Sequence, residues 1–304
     1  MKIELVTTNR EGADCRPVTC THRLGQVSVA NRALAVWQRE RMALALQDRE
    51  PQAEHRLWMY DDGWLSMGLM AALLAAKRPA AVVDQAGEIL AWVGPKATVP
   101  EDLPAEQRIE ADADSFRIRY PWDILRVNEI LVGALAESNI AGEVSPGCTI
   151  EGQVVVGARS RLLPGVFIEG NAVIGANCKI GPNCYIRGNT AIGDNCHVGQ
   201  AVEIKNSLLM NGASIGHLSY CGDSIIGEKV NFGAGTITAN LRHDGSSQRS
   251  MVGQELIDTR RRKLGVVVGD GVHTGINTSF YPGRKMWPGT ATRPGSIVER
   301  DITQ

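Results

Sequence analysis

From Val144 to Ile204 an aliphatic residue recurs at every sixth position without a break: Val144, Ile150, Val156, Leu162, Ile168, Ile174, Ile180, Ile186, Ile192, Val198 and Ile204. A period of six is neither the 3.6 of a helix nor the 2 of a single strand. It belongs to a chain wound into coils, each burying its apolar side only against the coil above and below. The spacing predicts a hexapeptide-repeat parallel β-helix over the second half of the chain.

The intervening positions support this. Asn171, Asn177, Asn183, Asn189 and Asn195 stand three residues before an aliphatic. After Gly, Asn best tolerates the left-handed backbone of a tight corner. Cys148, Ala172, Cys178, Cys184, Thr190 and Cys196 stand two before it, all small enough for a crowded corner. Pro146, Pro164 and Pro182 recur at three hexads, which predicts a triangular prism. The repeat changes phase near Lys205, as inserted corner residues would make it do. It continues through Ile226 and Ile237, breaks from about Leu241 to Lys263, and resumes at Leu264. The break is polar and aperiodic, so residues 241–263 are expected to form a loop ejected from a corner, a common place for function on a regular scaffold.

The first 119 residues follow different rules. Helical spacing covers Ala33 to Leu46 and Leu65 to Ala76, and short apolar runs predict strands at Ile3–Val6, Leu57–Tyr60 and Ala80–Val83. A small α/β domain is expected over 1–119. Pro121 to Glu137 reads as an amphipathic helix with proline in its first turn. It forms a linker, 120–139, leading into the β-helix at 140–304.

With 32 basic and 33 acidic side chains the chain has no electrostatic reason to bind nucleic acid or an anionic membrane. No apolar run is long enough to span a bilayer, and the N-terminus does not read as a signal peptide. Seven cysteines, four of them at the small repeat position, are expected as buried thiols, neither disulfides nor metal ligands, in a reducing cytoplasm.

Two segments resemble known families. Arg16 to Leu34, RPVTCTHRLGQVSVANRAL, resembles the opening of sugar-nucleotide nucleotidyltransferases, where a preceding Gly-rich loop wraps the nucleotide phosphates. Against that pattern the loop's first glycine becomes Arg10, its arginine becomes Asp14 and a phosphate-contacting lysine becomes Leu24, with Gly12 kept. Close approach to a phosphate needs glycine backbone and a cation. The resemblance therefore implies a vestigial, degenerate nucleotidyltransferase-like domain. Asp61, Asp62 and Asp84 could be offered as metal ligands, but without the phosphate loop they are expected as solvated turn residues, with no metal site; magnesium would be needed only if nucleotidyl transfer were retained.

Glu203 to Asn240, EIKNSLLMNGASIGHLSYCGDSIIGEKVNFGAGTITAN, resembles the acetyltransferase half of the bifunctional N-acetylglucosamine-1-phosphate uridyltransferase and glucosamine-1-phosphate acetyltransferases. Tyr120–Leu125 (YPWDIL) and Arg261–Asn277 resemble the archaeal-type branch, which also acts on galactosamine-1-phosphate. The resemblance implies a left-handed β-helix, acetyl-CoA as donor and a hexosamine-1-phosphate as acceptor. It also implies a homotrimer with the site between prisms and a role in nucleotide-sugar biosynthesis. It implies His217 as the catalytic base, Arg187, Glu203, Lys205, Tyr220, Asn231 and Asn240 as acceptor-binding residues, and Gly233, Ala234 and Gly235 as the stretch whose backbone meets acetyl-CoA. A lysine six residues past the motif's last asparagine is Ser246 here; Arg242 or Arg249 could supply the missing cation. Arg260 to Lys263 fits either a coenzyme A phosphate contact or a solvated loop. His197, His243 and His273 are expected to be structural.

The chemistry is coherent in its own terms. An amino-sugar ammonium must lose a proton before it can attack a thioester, and histidine titrates in the right range to take it. Backbone amides can stabilise the developing oxyanion, and cations can hold the sugar phosphate. Two other functions are compatible with the sequence: a bifunctional enzyme that keeps nucleotidyl transfer, and a non-enzymatic scaffold that binds a sugar nucleotide.

Overall fold

The structure is a computed structural model that describes residues 2–7, 14–47 and 55–304. Its contacts divide the chain into two units. The first comprises the described residues of Met1–Ala13 together with Leu24–Val27 and Arg32–Arg119; the second comprises Asp14–Arg23, Ser28–Asn31 and Tyr120–Gln304. Two short pieces of the segment expected to belong to an N-terminal domain are therefore packed with the β-helix.

The first unit is a five-stranded mixed sheet in the order Lys2–Val6, His55–Tyr60, Ile89–Pro95, Ala80–Val83, Arg108–Glu110. Helices α1 (Leu34–Leu44) and α2 (Met67–Leu74) belong to the same unit. Ser66 caps α2, its hydroxyl accepting from the Leu69 amide at 3.0 Å. Met42, Leu57, Met59, Met70, Leu73 and Leu90 form its core. The helices and the three strands expected from the sequence are present, with shorter helix ends. The central strand Ile89–Pro95 and the edge strand Arg108–Glu110 were not anticipated, because neither shows clear alternation. Asp62 and Asp84 are not simple solvated turn residues: Asp62 is buried and paired with Arg117 at 2.7 Å, and Asp84 pairs with Arg119 at 2.8 Å.

The second unit is a left-handed parallel β-helix of about nine turns. Three parallel sheets form its faces. Face one runs from Asn139–Ile140 to Lys285–Met286 and face two from Glu143–Val144 to Asn231–Phe232. Face three runs from Thr149–Glu151 to Ile297–Val298. The chain visits the faces in that order in each coil. Leu162, Ile168, Ile180, Ile186, Ile192, Val198 and Ile204 are fully buried along the prism axis, whereas Val144 of the first coil is exposed. Burying each such side chain is worth about 1.5–3 kcal/mol, so the ladder supplies a large share of this unit's stability.

The asparagines divide into two groups. Asn177, Asn183 and Asn195 take left-handed backbone, with φ of 57°, 50° and 58°. Asn171 and Asn189 do not. Their amides instead hold α3 (Pro121–Gly133) against the prism, Asn171 donating to Val132 O at 3.1 Å and Asn189 to Glu129 O at 3.1 Å. Helix α3 is shorter than the expected 121–137 and buries Trp122, Ile124, Leu125 and Val127. Its first turn is closed by the Tyr120 amide donating to Asp123 Oδ2 at 2.9 Å.

The phase change near Lys205 has the opposite sign to the one expected. Lys179 pairs with His197 and Tyr185 with Glu203, a spacing of eighteen. On the next coil His197 pairs with Ser214 and Glu203 with Tyr220, a spacing of seventeen. The following coil is also short, Ser214 pairing with Asn231 and Tyr220 with Ile237. Both lost residues fall at the corner from face three to face one, where Asn206 and Asp223 carry left-handed φ of 46° and 51°. The insert then leaves the same corner after Asn240, its roots bridged by Leu241 and Lys263. It is more ordered than an aperiodic loop: Arg249–Val252 and Glu255–Asp258 form an antiparallel hairpin. The hairpin is fastened to the prism by Ser250 Oγ donating to Gly283 O at 2.8 Å and by buried Lys285 Nζ donating to Met251 O at 2.7 Å.

Candidate active site

Face three presents alternate side chains outward. Tyr185, Glu203, Tyr220 and Ile237 share one register, and Arg187, Lys205 and Gly222 share the next. Neighbouring coils lie about 4.8 Å apart. Residues distant in sequence therefore meet as a stacked column, and Arg187, Glu203, Lys205 and Tyr220 fall on adjacent rungs.

The shortened corner draws this column into a cluster. Asp223 is 3% exposed. Its Oδ2 accepts from Lys205 Nζ at 2.7 Å and from Asn240 Nδ2 at 2.6 Å. Its Oδ1 accepts from Asn206 Nδ2 at 3.0 Å. The Asn240 amide also donates to the Tyr220 hydroxyl at 2.9 Å. Burial, and then the carboxylates of Asp223 and Glu203, push the Tyr220 phenol up to about 12. Tyr220 is thus a neutral hydrogen-bonding group near pH 7. One coil below, Arg187 Nε and Nη2 both lie 2.7 Å from Glu203 Oε1, and the guanidinium carbon sits 5.5 Å from the Tyr185 ring.

The remaining expected residues lie on face two and the corner from face two to face three. His217 ends the strand Ser214–His217 and is exposed. Among the described residues its imidazole has no hydrogen-bond partner. The strand Tyr220–Gly222 separates it from Asp223, about 10 Å of extended chain. His217 is therefore not part of the Asp223 cluster. Asn231 faces outward one coil above Ser214. The stretch Gly233–Gly235 passes directly over His217, whose carbonyl accepts from the Gly235 amide at 3.2 Å. The Gly233 amide donates to Thr274 O at 3.1 Å. These two amides are thus committed to coil stacking, which narrows the expected acetyl-CoA contact. Ala234 alone of the three has an N–H without a partner among the described residues. His197 lies one coil below His217 on face two; burial first, then Lys179 and His217, push its imidazole below the ordinary value.

Arg242, one of the two candidates for the missing cation, is paired with a carboxylate. It gives Nε and Nη2 to Asp244 at 3.0 and 2.6 Å, and the Ser246 backbone amide donates to the same carboxylate at 3.0 Å. In the basic run, Arg261 is committed to Glu129 of α3, with Nη1 3.0 Å from Oε2. The reading of the sequence missed Asp223 and Glu129. Asp223 lies inside the quoted GHLSYCGD motif, so that motif was the available signal; Glu129 had none.

The cysteines of the repeat are core residues. Cys178, Cys184 and Cys196 are buried, and the thiols of Cys178 and Cys196 donate to the carbonyls of Gly193 and Met210 on the next coil at 3.0 and 3.2 Å. Among the described residues no group of three or more His, Cys, Asp or Glu could hold a metal ion. No described helix is long and apolar enough to cross a membrane.

Of the nucleotidyltransferase-like positions, Arg10 and Gly12 lie outside the described residues. Asp14 is held by its neighbour: Arg16 gives Nε and Nη2 to the two carboxylate oxygens at 2.9 and 2.6 Å. Burial acts to raise the Asp14 pKa, but the Arg16 guanidinium outweighs it and holds the carboxyl below its usual value. Leu24 opens a short 3-10 turn, Leu24–Gln26, in the first unit.

Comparison with known proteins places these features. Residues 168–279 match the family model described as GMPPB C-terminal domain. A bifunctional sugar-1-phosphate nucleotidylyltransferase/acetyltransferase of Sulfurisphaera tokodaii is 40% identical over 194 residues, 64% of this chain and 48% of that protein. A bifunctional protein GlmU of Methanococcus maripaludis is 48% identical over 187 residues, 62% of this chain and 45% of its own length. Among solved structures, a UDP-N-acetylglucosamine acyltransferase of Francisella novicida aligns with 55% of this chain and 62% of its own, at a TM-score of 0.31 and 17% identity. The chain spans about half the length of the curated relatives it matches. Its C-terminal region is similar in sequence to the bifunctional sugar-1-phosphate nucleotidylyltransferase/acetyltransferases.

Proposed function

We propose that the chain is an N-acetyltransferase that moves acetyl from acetyl-CoA to the amine of a hexosamine-1-phosphate, glucosamine-1-phosphate or galactosamine-1-phosphate. The observation that carries this reading is the convergence of Lys205, Tyr220 and Asn240 on Asp223, one coil from the Arg187–Glu203 pair. A sugar phosphate needs a cation for its phosphate and a ring of donors and acceptors for its hydroxyls. This column supplies both. Arg187 keeps its Nη1 edge for the phosphate, while Glu203, Tyr220 and Asn240 offer acceptors and donors to the sugar.

His217 is the base in this reading. It removes a proton from the acceptor ammonium, and the freed amine attacks the thioester carbonyl. The carbon–sulfur bond breaks, coenzyme A leaves as thiolate, and the second amine proton is lost as the amide forms. The unpartnered Ala234 amide, one coil above His217, is the backbone donor suited to the developing oxyanion. Asn231, outward on face two, is an acceptor contact in the same reading. No enzyme nucleophile is required.

The molecule acts as a homotrimer. The exposed apolar side chains Leu218, Ile237, Ile276 and Ile297 lie along the corner between faces two and three and on face three itself. A second prism packing there would cover them and bring a neighbouring surface to His217. The domain assignment accompanying this reading is a non-catalytic N-terminal unit over 1–119, a linker at 120–139 and the acetyltransferase at 140–304, acting in the cytoplasm.

Release of coenzyme A from acetyl-CoA, followed with each hexosamine-1-phosphate in turn, tests the reading. Turnover with at least one acceptor is expected. His217→Ala should lower kcat by about a hundredfold or more, the usual scale for losing general base catalysis. A folded trimer that turns over neither acceptor would refute it.

A further inference from the structure

The corner cluster continues beyond the residues that face the acceptor. The Asn206 amide, which donates to Asp223 Oδ1, also donates to Glu129 Oε1 at 2.6 Å. Glu129 lies on α3 and accepts from both terminal nitrogens of Arg261. Arg261 belongs to the insert. The insert is also tied to the other end of the cluster, because the Asn240 carbonyl accepts from Gln248 Nε2 at 3.2 Å. An unbroken chain thus runs from Arg261 through Glu129, Asn206 and Asp223 to Lys205, Asn240 and Tyr220.

The donor and acceptor count explains why position 223 needs a carboxylate. Lys205, Asn206 and Asn240 each present a hydrogen to it, and an ionised carboxylate offers two oxygens and no donor. An amide there would turn an NH2 toward at least one of those donors. The charges also balance, with Lys205 and Arg261 against Asp223 and Glu129. The corner is short enough to bring these groups within reach, and aspartate is among the few residues other than glycine that tolerate its left-handed backbone.

We propose that Asp223 is a positioning residue for acetyl transfer: it fixes Lys205 and Asn240 for the acceptor, and the Glu129–Arg261 pair makes that geometry depend on the docked insert. This rests on the acetyltransferase reading above. The insert is then part of the acceptor site without touching the acceptor.

Steady-state kinetics of the full chain tests this. Asp223→Asn is expected to raise the KM for the hexosamine-1-phosphate about thirtyfold, the scale of a lost charge-assisted hydrogen bond, while the KM for acetyl-CoA stays near that of the parent. Glu129→Gln and Arg261→Ala should raise the same KM by about three- to tenfold, and the double variant should be no worse than either single one, since each breaks the same link. An unchanged acceptor KM in Asp223→Asn, or additive effects in the double variant, would overturn the proposal. If Asp223→Asn does not fold, the Glu129 and Arg261 variants decide alone. If the parent transfers no acetyl, the acetyltransferase reading has failed, and hydrogen exchange in Arg261→Ala still tests the linkage. Faster exchange confined to residues 203–209 and 217–224 supports it, and unchanged exchange there overturns it.

Discussion

The Tyr220 phenol joins local environment to function at the residue scale. It accepts from Asn240 and stands beside two carboxylates, and burial with those neighbours pushes its pKa up to about 12. A folded-state value above the ordinary 10 means that its contribution to stability is fully present below pH 10 and is lost as pH rises toward 12. Tyr220→Phe should therefore remove the late step of the 295 nm titration near pH 12 and flatten the alkaline stability limb between pH 10 and 12. If the late step persists in the variant, the phenol is not in this environment. The thiols give a second residue-scale test. Burial pushes Cys184 and Cys221 to about 12, so maleimide should label exposed Cys20 in the native protein and reach Cys184 and Cys221 only after unfolding. Much of the candidate site was legible residue by residue, because the motifs containing Lys205, His217, Tyr220 and Asn240 are contiguous strings. Glu129 was not, since it reaches Asn206 across 77 residues and only the folded corner brings them together.

The decisive element is the shortened corner between faces three and one. Twice it omits one residue, at Asn206 and at Asp223, and the insert leaves from the same place after Asn240. The side chains of Lys205, Asn206, Asp223 and Asn240 thus converge where a regular coil would have spaced them evenly. Inserting one glycine after Asn206 should restore the eighteen-residue spacing and carry Asn206 away from Asp223. The expected outcome is a thermal midpoint close to that of the parent with acetyl transfer lowered at least tenfold; unchanged transfer would show that the short corner is incidental. By contrast, Ile186→Ala in the axial ladder should cost about 2–5 kcal/mol, the usual range for such a cavity, read by denaturant unfolding. The hexad ladder was visible in the sequence because every coil repeats the same local demand. The break was visible too, but its sign was not: on a period of six, losing one residue and gaining five shift the pattern identically. The hairpin in the insert was hidden because its strands are only four residues each and lack alternation, and its anchors, Gly283 and Lys285, lie far along the chain.

On the scale of the whole molecule, the sequence distinguished an α/β region from a β-helical one, because their periodicities differ. It did not reveal that Asp14–Arg23 and Ser28–Asn31 pack with the β-helix, since that packing depends on distant partners. Thr21 and His22, for example, both bond Asp270 Oδ2, at 2.5 and 3.0 Å. The segment is used here as a brace on the prism. Two expectations follow. Light scattering should give a particle of about three times the 32.8 kDa chain mass, and calorimetric titration with UTP and magnesium should show no binding. A monomer would remove the proposed intersubunit site, and saturable UTP binding would restore the bifunctional reading. The central claim is that acetyl transfer on the β-helix is the chemistry of this chain. Its most direct test is mass spectrometry of one reaction containing acetyl-CoA, a hexosamine-1-phosphate, UTP and magnesium. The account predicts N-acetylhexosamine-1-phosphate that disappears in His217→Ala, with neither pyrophosphate nor a UDP-sugar formed. A UDP-sugar without acetylated intermediate, or no acetylated product at all, would contradict it.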